Sequence, residues 1–308
     1  MNLILHIGIE KTGSSSIQTF LFENREALEK AGYGYIYTKG RVDQRDLAVA
    51  FMKRSKSDAY TKTHMIEGEE VRSAFCERVK QQLAGEVESL RNMGIHTCII
   101  SSEHLNSRIK DDNQLQALGS YLQSMFDEVR VIAYVRDQRK KLPSQFCTNI
   151  KTGATLSFSQ AFDKYLSGER DFYDKSFQRW ENVFGREALR LQLFERKCFY
   201  GGDLIQDFLN LSGIELGQKD LKQLKAAANI SLSKIACEIL RIVNFLLPRN
   251  SLRSVAVRER LIKRLSHLPG RPWSLSSEQS EMIKKKYQDS NEELRKKYFP
   301  DRKSLFDD

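Results

Sequence analysis

The 308-residue sequence predicts an α/β fold, in which a parallel β-sheet is flanked by helices and followed by a mostly helical C-terminal part. Short apolar runs and helical periodicity alternate along the first half of the chain. The apolar runs are residues 3–9, 96–103 and 129–135, and the helical patterns are 15–31, 71–90 and 113–126. Strands that are apolar on both faces and alternate with helices are typical of a parallel sheet covered by helices.

The remaining elements have weaker signals. Gly32 is expected to end the first helix, because glycine commonly follows a helix C-terminus. Residues 38–66 are predicted to form a long polar excursion with a short helix. Residues 188–194 predict a further strand. Helices are predicted over 203–213, over 235–246 with Ser231 as a cap and Pro248 at the end, and over 276–297.

Composition limits the class of partner. Lys and Arg number 50 against 40 Asp and Glu, a net charge of +10, which favours anionic partners such as nucleotides, acidic polymers or a membrane surface. No arginine-rich tract or nucleic-acid-binding motif is present, so nucleic acid is not an expected partner. The five cysteines are scattered without a CxxC pair, which argues against a disulfide framework or a zinc site. No run of 18 apolar residues predicts a membrane span, and the N-terminus enters a strand directly, so a cytoplasmic protein is expected.

The segment HIGIEKTGSSSIQTF (residues 6–20) carries the clearest chemical signal. A glycine- and serine-rich loop between a strand and a helix can bind an anion, because N–H groups at a helix N-terminus lack partners and the helix dipole is positive there. The Walker pattern G-x-x-x-x-G-K-[ST] is not matched, since the lysine precedes the glycine; this favours a phosphate group bound without a metal ion. His6 is expected to be a core residue beside the loop. The candidate ligands are Lys11, Thr12, Gly13, Ser14, Ser15 and Ser16.

A second motif follows the strand at 129–135. VIAYVRDQRKKLPSQF places Arg136 at the strand end and Ser144 eight residues later. Together with KTGSSS, this resembles the sulfotransferases that use 3′-phosphoadenosine 5′-phosphosulfate (PAPS). The resemblance implies that residues 11–16 bind the 5′-phosphosulfate and that Arg136 and Ser144 bind the 3′-phosphate. Pro143 is expected to break or delay the helix at this point.

The resemblance covers most of the chain. YDKSFQRWENVFG, GGDLIQDFLNLSGI, NISLS and DSNEELRKKYFPDRKSLF look like segments of bacterial sulfotransferases associated with polysaccharide and glycolipid modification. It implies one sulfotransferase-like domain over 1–308, with a nucleotide-binding core at about 1–215 and a helical part at about 216–308. The implied reaction is sulfuryl transfer from PAPS to a carbohydrate or glycolipid hydroxyl, with no metal ion required.

The segment ISSEHL supplies the candidate general base. Relatives use a histidine or a glutamate here, and the resemblance favours Glu103 over His104, with Lys11 as the catalytic cation. On an extended strand, two adjacent side chains point to opposite faces, so only one of Glu103 and His104 is expected to face the donor. A helix-capping carboxylate or a core histidine is the structural alternative. A P-loop kinase or other triphosphatase, and a non-catalytic nucleotide or acidic-polymer binder, remain as alternative functions.

Overall fold

The computed structural model describes residues 1–38, 41–216, 232–247 and 252–307. They form two compact units, described separately below. The sheet unit comprises Met1–Arg136 and Lys175–Ala226, and the helical unit comprises Asp137–Asp174 and Ala227–Asp308. The helical unit therefore begins directly after the fourth strand, and the single domain with a division near residue 215 stays a prediction.

The predicted α/β fold with a parallel sheet is confirmed. Within the described residues the strands are β1 (Asn2–His6), β2 (Tyr33–Ile36), β3 (Thr97–Ser101), β4 (Val129–Val135) and β5 (Leu189–Leu193). They are all parallel, in the order β2-β3-β1-β4-β5. β1 lies centrally between β3 and β4, and sheets of this kind bind ligands beyond the carboxyl ends of their strands, where the strand order reverses.

The α-helices of the described residues are numbered in chain order. Their bounds are α1 (Ser14–Glu23), α2 (Arg25–Lys30), α3 (Arg45–Phe51), α4 (Ala59–Thr63), α5 (Glu69–Asn92), α6 (Glu103–Arg108), α7 (Asp112–Gln123), α8 (Gln138–Lys151), α9 (Phe158–Ser167), α10 (Tyr173–Phe184), α11 (Leu204–Ser212), α12 (Lys234–Asn244), α13 (Leu252–Leu265) and α14 (Ser277–Tyr298). None of the helices in the described ranges has the length and apolar character needed to cross a membrane.

The helix predicted over residues 15–31 is in fact two helices. α1 ends at Glu23 and α2 begins at Arg25, with the buried Asn24 between them. The Asn24 side-chain amide donates to the Phe20 carbonyl at 2.9 Å, which satisfies a carbonyl at the end of α1. The apolar period continues across this break, which is why the sequence pattern did not reveal it.

The core of the sheet unit packs α1 and α11 against the strands. Its fully buried members include Ile17 and Leu21 of α1, Tyr134 of β4 and Phe208 of α11. The Tyr134 hydroxyl donates to the Asp207 carboxylate at 2.8 Å, so the one charged group on this face of α11 has a buried partner. This packing fixes α1, and therefore its N-terminus, against the sheet.

In the helical unit, the prediction that Pro143 interrupts a helix is wrong. α8 runs without a break from Gln138 to Lys151, with Pro143 buried inside it. The Asp137 side chain caps the helix by accepting from the Arg139 N–H at 2.8 Å. Proline removes one backbone hydrogen bond from the helix, and Leu142 and Phe146 on the same helix are buried with Pro143.

The helical unit has its own apolar core, formed by α8, α9, α12 and α13. Its buried members are Phe146, Ile150, Phe158, Leu232, Ala236, Cys237 and Leu240. Ser231 and Pro248, predicted to bound α12, lie outside the described residues. The cap of α12 is Ser233, whose hydroxyl accepts from the Ala236 N–H at 3.2 Å.

Candidate functional site

The loop between β1 and α1, residues 7–13, has an unusual backbone; we call it the anion loop after the ligand that the sequence leads us to expect. Gly8, Lys11 and Gly13 all adopt left-handed conformations, with φ of 46°, 73° and 78°. For a lysine this conformation costs about 1–2 kcal/mol, so the loop holds Lys11 in a shape that its own side chain disfavours. The buried Thr12 hydroxyl donates to the Ile9 carbonyl at 2.6 Å and stabilises the turn from inside. Alternation of right- and left-handed residues is the backbone pattern that forms anion-binding nests in proteins, so this loop suits an anion.

The N-terminus of α1 directly follows this loop. The helix begins at Ser14, and its cap residue Gly13 provides no side chain to accept from the first-turn N–H groups. The Ser14 hydroxyl is buried and has no hydrogen-bond partner among the described residues. Ser15 is exposed and Ser16 partly exposed. A buried hydroxyl without a partner is costly unless a ligand provides one, so Ser14 is the strongest structural indication of a bound group here.

The loop after β1 and the ISSEHL segment at the end of β3 meet at Gly8. A methyl group placed on Gly8 would lie 2.7 Å from the Ser14 hydroxyl oxygen and 2.9 Å from Glu103 Cβ. Both distances are shorter than a normal van der Waals contact. Glycine is therefore required at residue 8 by packing as well as by its φ, and Glu103 lies directly against the anion loop.

The carboxylate of Glu103 is held by α1. It accepts from the Gln18 side-chain amide at 2.9 Å, and Gln18 itself is buried. Burial raises the pKa of Glu103 above its usual range; hydrogen bonds from its own N–H and from Gln18 oppose this, and the nearby charges of Asp43 and Glu10 add to it. A raised pKa is what a carboxylate needs to accept a proton near neutral pH.

His104 and Glu103 have different surroundings, but this difference does not come from alternation along a strand. β3 ends at Ser101, and Glu103 and His104 are the first residues of α6, so the prediction that they alternate along a strand is wrong. Burial lowers the pKa of His104 to about 3, and the positive charges of Arg45 and Arg108 contribute. His104 is neutral at physiological pH, and its buried Nδ1 has no hydrogen-bond partner among the described residues.

An ion-pair network lies beside α6, the helix that begins with Glu103. The Arg108 guanidinium contacts Asp58 at 2.9 Å and Glu10 at 3.5 Å, and Arg45 contacts Asp58 at 3.0 Å. Although burial alone would raise it, hydrogen bonds from the Thr61 N–H and from the two arginines lower the pKa of Asp58 to about 2. The network ties the loop after β1 to α4 and α6, and it fixes Glu10 near Glu103.

Arg136 joins the loop from the end of β4. Its guanidinium donates to the Lys11 carbonyl and lies 5.4 Å from the centre of the Phe194 ring. Phe194 directly follows β5, and it also packs beneath Gly13 together with Leu204. The ends of three strands, β1, β4 and β5, are thus connected around the anion loop by side-chain contacts.

Ser144 lies on α8, in the helical unit, and is partly exposed. The predicted pairing of Arg136 with Ser144 joins residues of different units and stays a prediction.

His6 was expected in the core and is fully buried. Its Nδ1 lies 2.7 Å from the Ser101 hydroxyl, and burial lowers the pKa of His6 to about 3.

Two residues of this site were not predicted from the sequence. Gln18 holds Glu103, and Phe194 lies beneath Arg136. Gln18 could have been noticed, because it is a polar residue next to Ile17 on the apolar side of α1. Phe194 gave no signal beyond its position as the last residue of a predicted strand. In the described ranges, no cluster of three histidine, cysteine or acidic side chains is arranged to hold a metal ion.

No protein-family model matches this sequence. An uncharacterized protein from Archaeoglobus fulgidus is 26% identical over 175 residues, which are 55% of this chain and 46% of that protein. The chain therefore aligns with about half the length of this relative. The crystal structure of a sulfotransferase from Alicyclobacillus acidocaldarius aligns over 86% of this chain and 96% of its own, with a TM-score of 0.44 and 12% identity. Function is therefore inferred from the residues of the site itself.

Proposed function

We propose that this protein is a sulfotransferase that moves a sulfuryl group from PAPS to a hydroxyl of a carbohydrate acceptor, such as a polysaccharide, a lipopolysaccharide sugar or a glycolipid. One observation carries the proposal: a carboxylate with a raised pKa, Glu103, lies against Gly8 of the anion loop. A base beside an anion-binding loop is the arrangement required to activate an acceptor hydroxyl next to a bound anionic donor.

The loop has features that fit the phosphosulfate end of the donor. Lys11 provides a positive charge, the first turn of α1 provides N–H donors, and Ser14 provides a buried hydroxyl without a partner. Thr12, Gly13, Ser15 and Ser16 complete the proposed cradle. The proposed 3′-phosphate ligands are Arg136 and Ser144, on the basis of their spacing in the sequence.

The proposed chemistry is an in-line displacement at sulfur. Glu103 accepts the proton of the acceptor hydroxyl while the acceptor oxygen bonds to sulfur and the bond from sulfur to the bridging oxygen of the donor breaks. Lys11 and the N–H groups of α1 stabilise the charge that grows on that bridging oxygen. The products are a sulfate ester and adenosine 3′,5′-bisphosphate. We expect the reaction to occur in the cytoplasm, on a precursor.

Calorimetric titration with adenosine 3′,5′-bisphosphate, ATP and 5′-AMP, each with and without Mg²⁺, tests the donor. We expect the bisphosphate to bind more tightly than ATP or 5′-AMP, without an effect of Mg²⁺. Mg²⁺-dependent ATP binding without preference for a 3′-phosphate would instead favour a kinase or triphosphatase. Salt-sensitive binding of acidic polymers with no nucleotide binding would favour a non-catalytic binder.

A further inference from the structure

The outward face of α12 is apolar. A stripe of four residues, spaced four, three and four positions apart, follows one side of the helix and continues into the turn after it. We call it the α12 stripe; its members and their exposed fractions are Ile235 (60%), Ile239 (39%), Ile242 (59%) and Leu246 (82%). The opposite side of α12 is buried in the core of the helical unit. Contiguous exposed apolar surface of this kind commonly marks a contact site.

The neighbouring helix α13 presents a basic outward face. Its members are Arg253, Arg260, Lys263 and Arg264, which are exposed and lie at spacings of seven, three and one residues. The opposite side of α13 packs Leu261, Ile262 and Leu265 on the same apolar core that receives α12. Two adjacent helices on one core therefore expose an apolar stripe and a basic face.

A pocket adjoins the first residue of the stripe. It has a volume of about 300 Å³, and its walls include Lys234, Ile235, Arg271 and Trp273. The Lys234 ammonium lies 4.4 Å from the centre of the Trp273 ring. The indole N–H of Trp273 is buried and has no hydrogen-bond partner among the described residues. Two cations in one pocket, Lys234 and Arg271, suit a phosphate oxygen.

We propose that the α12 stripe, the basic face of α13 and the Trp273 pocket form a docking surface for a bilayer that contains anionic phospholipid. The stripe would enter the acyl boundary, the basic face would lie over the anionic headgroups, and the pocket would receive a headgroup phosphate. Tryptophan is favoured at this depth because its ring is apolar and its N–H is polar.

Charge selects the bilayer over other occupants. A second copy of this chain would place two basic faces against each other, which is repulsive. A nucleic acid would neutralise the basic face but leave the α12 stripe in water. An anionic bilayer satisfies both features. The inference does not depend on the proposed sulfuryl transfer, because lipid binding requires neither donor nor acceptor.

Co-sedimentation of the full chain with vesicles tests the proposal. We expect binding to vesicles of phosphatidylcholine mixed with phosphatidylglycerol, weak binding to phosphatidylcholine alone, and release as salt rises. Leu246→Asp should reduce partitioning by roughly tenfold or more, because an apolar side chain is replaced by a charge. Each basic residue near an anionic surface contributes about fivefold, so Arg260→Ala with Lys263→Ala should reduce partitioning about 25-fold.

Met65→Asp is the matched control, because Met65 is 81% exposed and belongs to the sheet unit. It should leave partitioning unchanged. Tryptophan fluorescence gives a second readout: Trp273 is expected to shift to the blue and to be quenched by brominated lipid, whereas Trp180 is fully buried. Trp273→Phe should remove that signal.

Three results would overturn the proposal. The first is equal binding to neutral and anionic vesicles. The second is vesicle binding that Leu246→Asp leaves intact, which would exclude the α12 stripe from the contact. The third is a dimer in solution that Leu246→Asp dissociates while lipid has no effect, which would make the stripe an interface between copies.

Discussion

The substitution Gly8→Ala tests whether the two loops of the site meet as described. An added Cβ would lie 2.7 Å from the Ser14 hydroxyl oxygen and 2.9 Å from Glu103 Cβ, at a φ of 46°. The left-handed backbone costs alanine about 1–2 kcal/mol, and overpacking typically costs about 1–3 kcal/mol more. We therefore expect Gly8→Ala to lower the free energy of unfolding by about 2–5 kcal/mol.

Gly94→Ala is the matched control. Gly94 has a φ of 80° and also lies in the sheet unit, but an added Cβ there meets nothing within 4 Å. Gly94→Ala should lower the free energy of unfolding only by the cost of placing alanine in a left-handed backbone, about 1–2 kcal/mol. The difference between the two variants, about 1–3 kcal/mol, isolates the contact among Gly8, Ser14 and Glu103.

Urea unfolding monitored by fluorescence measures this difference. In a Trp273→Phe background only Trp180 remains, so the signal reports the sheet unit, where Trp180 is fully buried. Midpoints are compared at unchanged slope, so that a shift reflects stability alone. Calorimetry on the same proteins should show weaker bisphosphate binding in Gly8→Ala and unchanged binding in Gly94→Ala. Equal destabilisation by the two substitutions would show that residue 8 has room for a methyl group and would refute the described contact.

Four further predictions concern single side chains. Lys11→Ala should lower turnover about 10²–10³-fold while the urea midpoint is maintained; near-normal turnover would remove Lys11 from the mechanism. Glu103→Gln should lower turnover about 10²–10⁴-fold yet keep bisphosphate affinity in calorimetry, whereas His104→Ala should stay active; an inactive but folded His104→Ala protein would reverse that assignment. Gln18→Met removes a hydrogen bond that favours ionised Glu103, so the pKa of Glu103 should rise further and the acid limb of the pH–kcat/KM profile should move to higher pH; an unmoved limb would contradict this role. Burial lowers the pKa of His6 to about 3, so the unfolded chain binds the extra proton between about pH 3 and 6.5, and stability should rise with pH across that window. Urea unfolding of His6→Asn at several pH values should show a slope smaller by up to about 1.4 kcal/mol per pH unit, and an unchanged slope would contradict the assignment.

The sheet was largely predictable because its strands are buried on both faces. β4 was predicted over 129–135, which are its observed bounds, and β1, β3 and β5 were found within a few residues. β2 was missed because it is only four residues long and contains Gly34. A Cβ on Gly34 would lie 2.8 Å from the Leu90 side chain of α5, so close helix packing explains a residue that reads as a loop signal.

Residues of the candidate site could be predicted only where they form a short motif of consecutive residues. KTGSSS pointed to the loop whose Lys11 and Gly13 are left-handed, and SSE pointed to Glu103, which lies against Gly8 of that loop; their binding and catalytic roles stay predictions. The hydrogen bond from Gln18 to Glu103 joins residues 85 positions apart, and no local pattern records such a contact. The predicted orientation of Glu103 and His104 was wrong because the predicted strand extended two residues beyond the observed end of β3. Adjacent side chains point to opposite faces in a strand but not in the first turn of a helix.

The packing of Phe194 and Leu204 against the anion loop has a consequence for the order in which the protein is made and folds. Gly13 rests on Phe194 and Leu204, which the ribosome adds roughly 10–40 s after the loop itself at ordinary synthesis rates of about 5–20 residues per second. A nascent chain can therefore carry the complete KTGSSS motif while it still lacks the support that shapes it. Contacts of such long sequence separation slow folding, because the chain must close a long loop before they can form. The support beneath Gly13 is thus complete only after β5 and the residues that follow it have been made, so the anion binding that we propose for this loop would depend on the completed sheet.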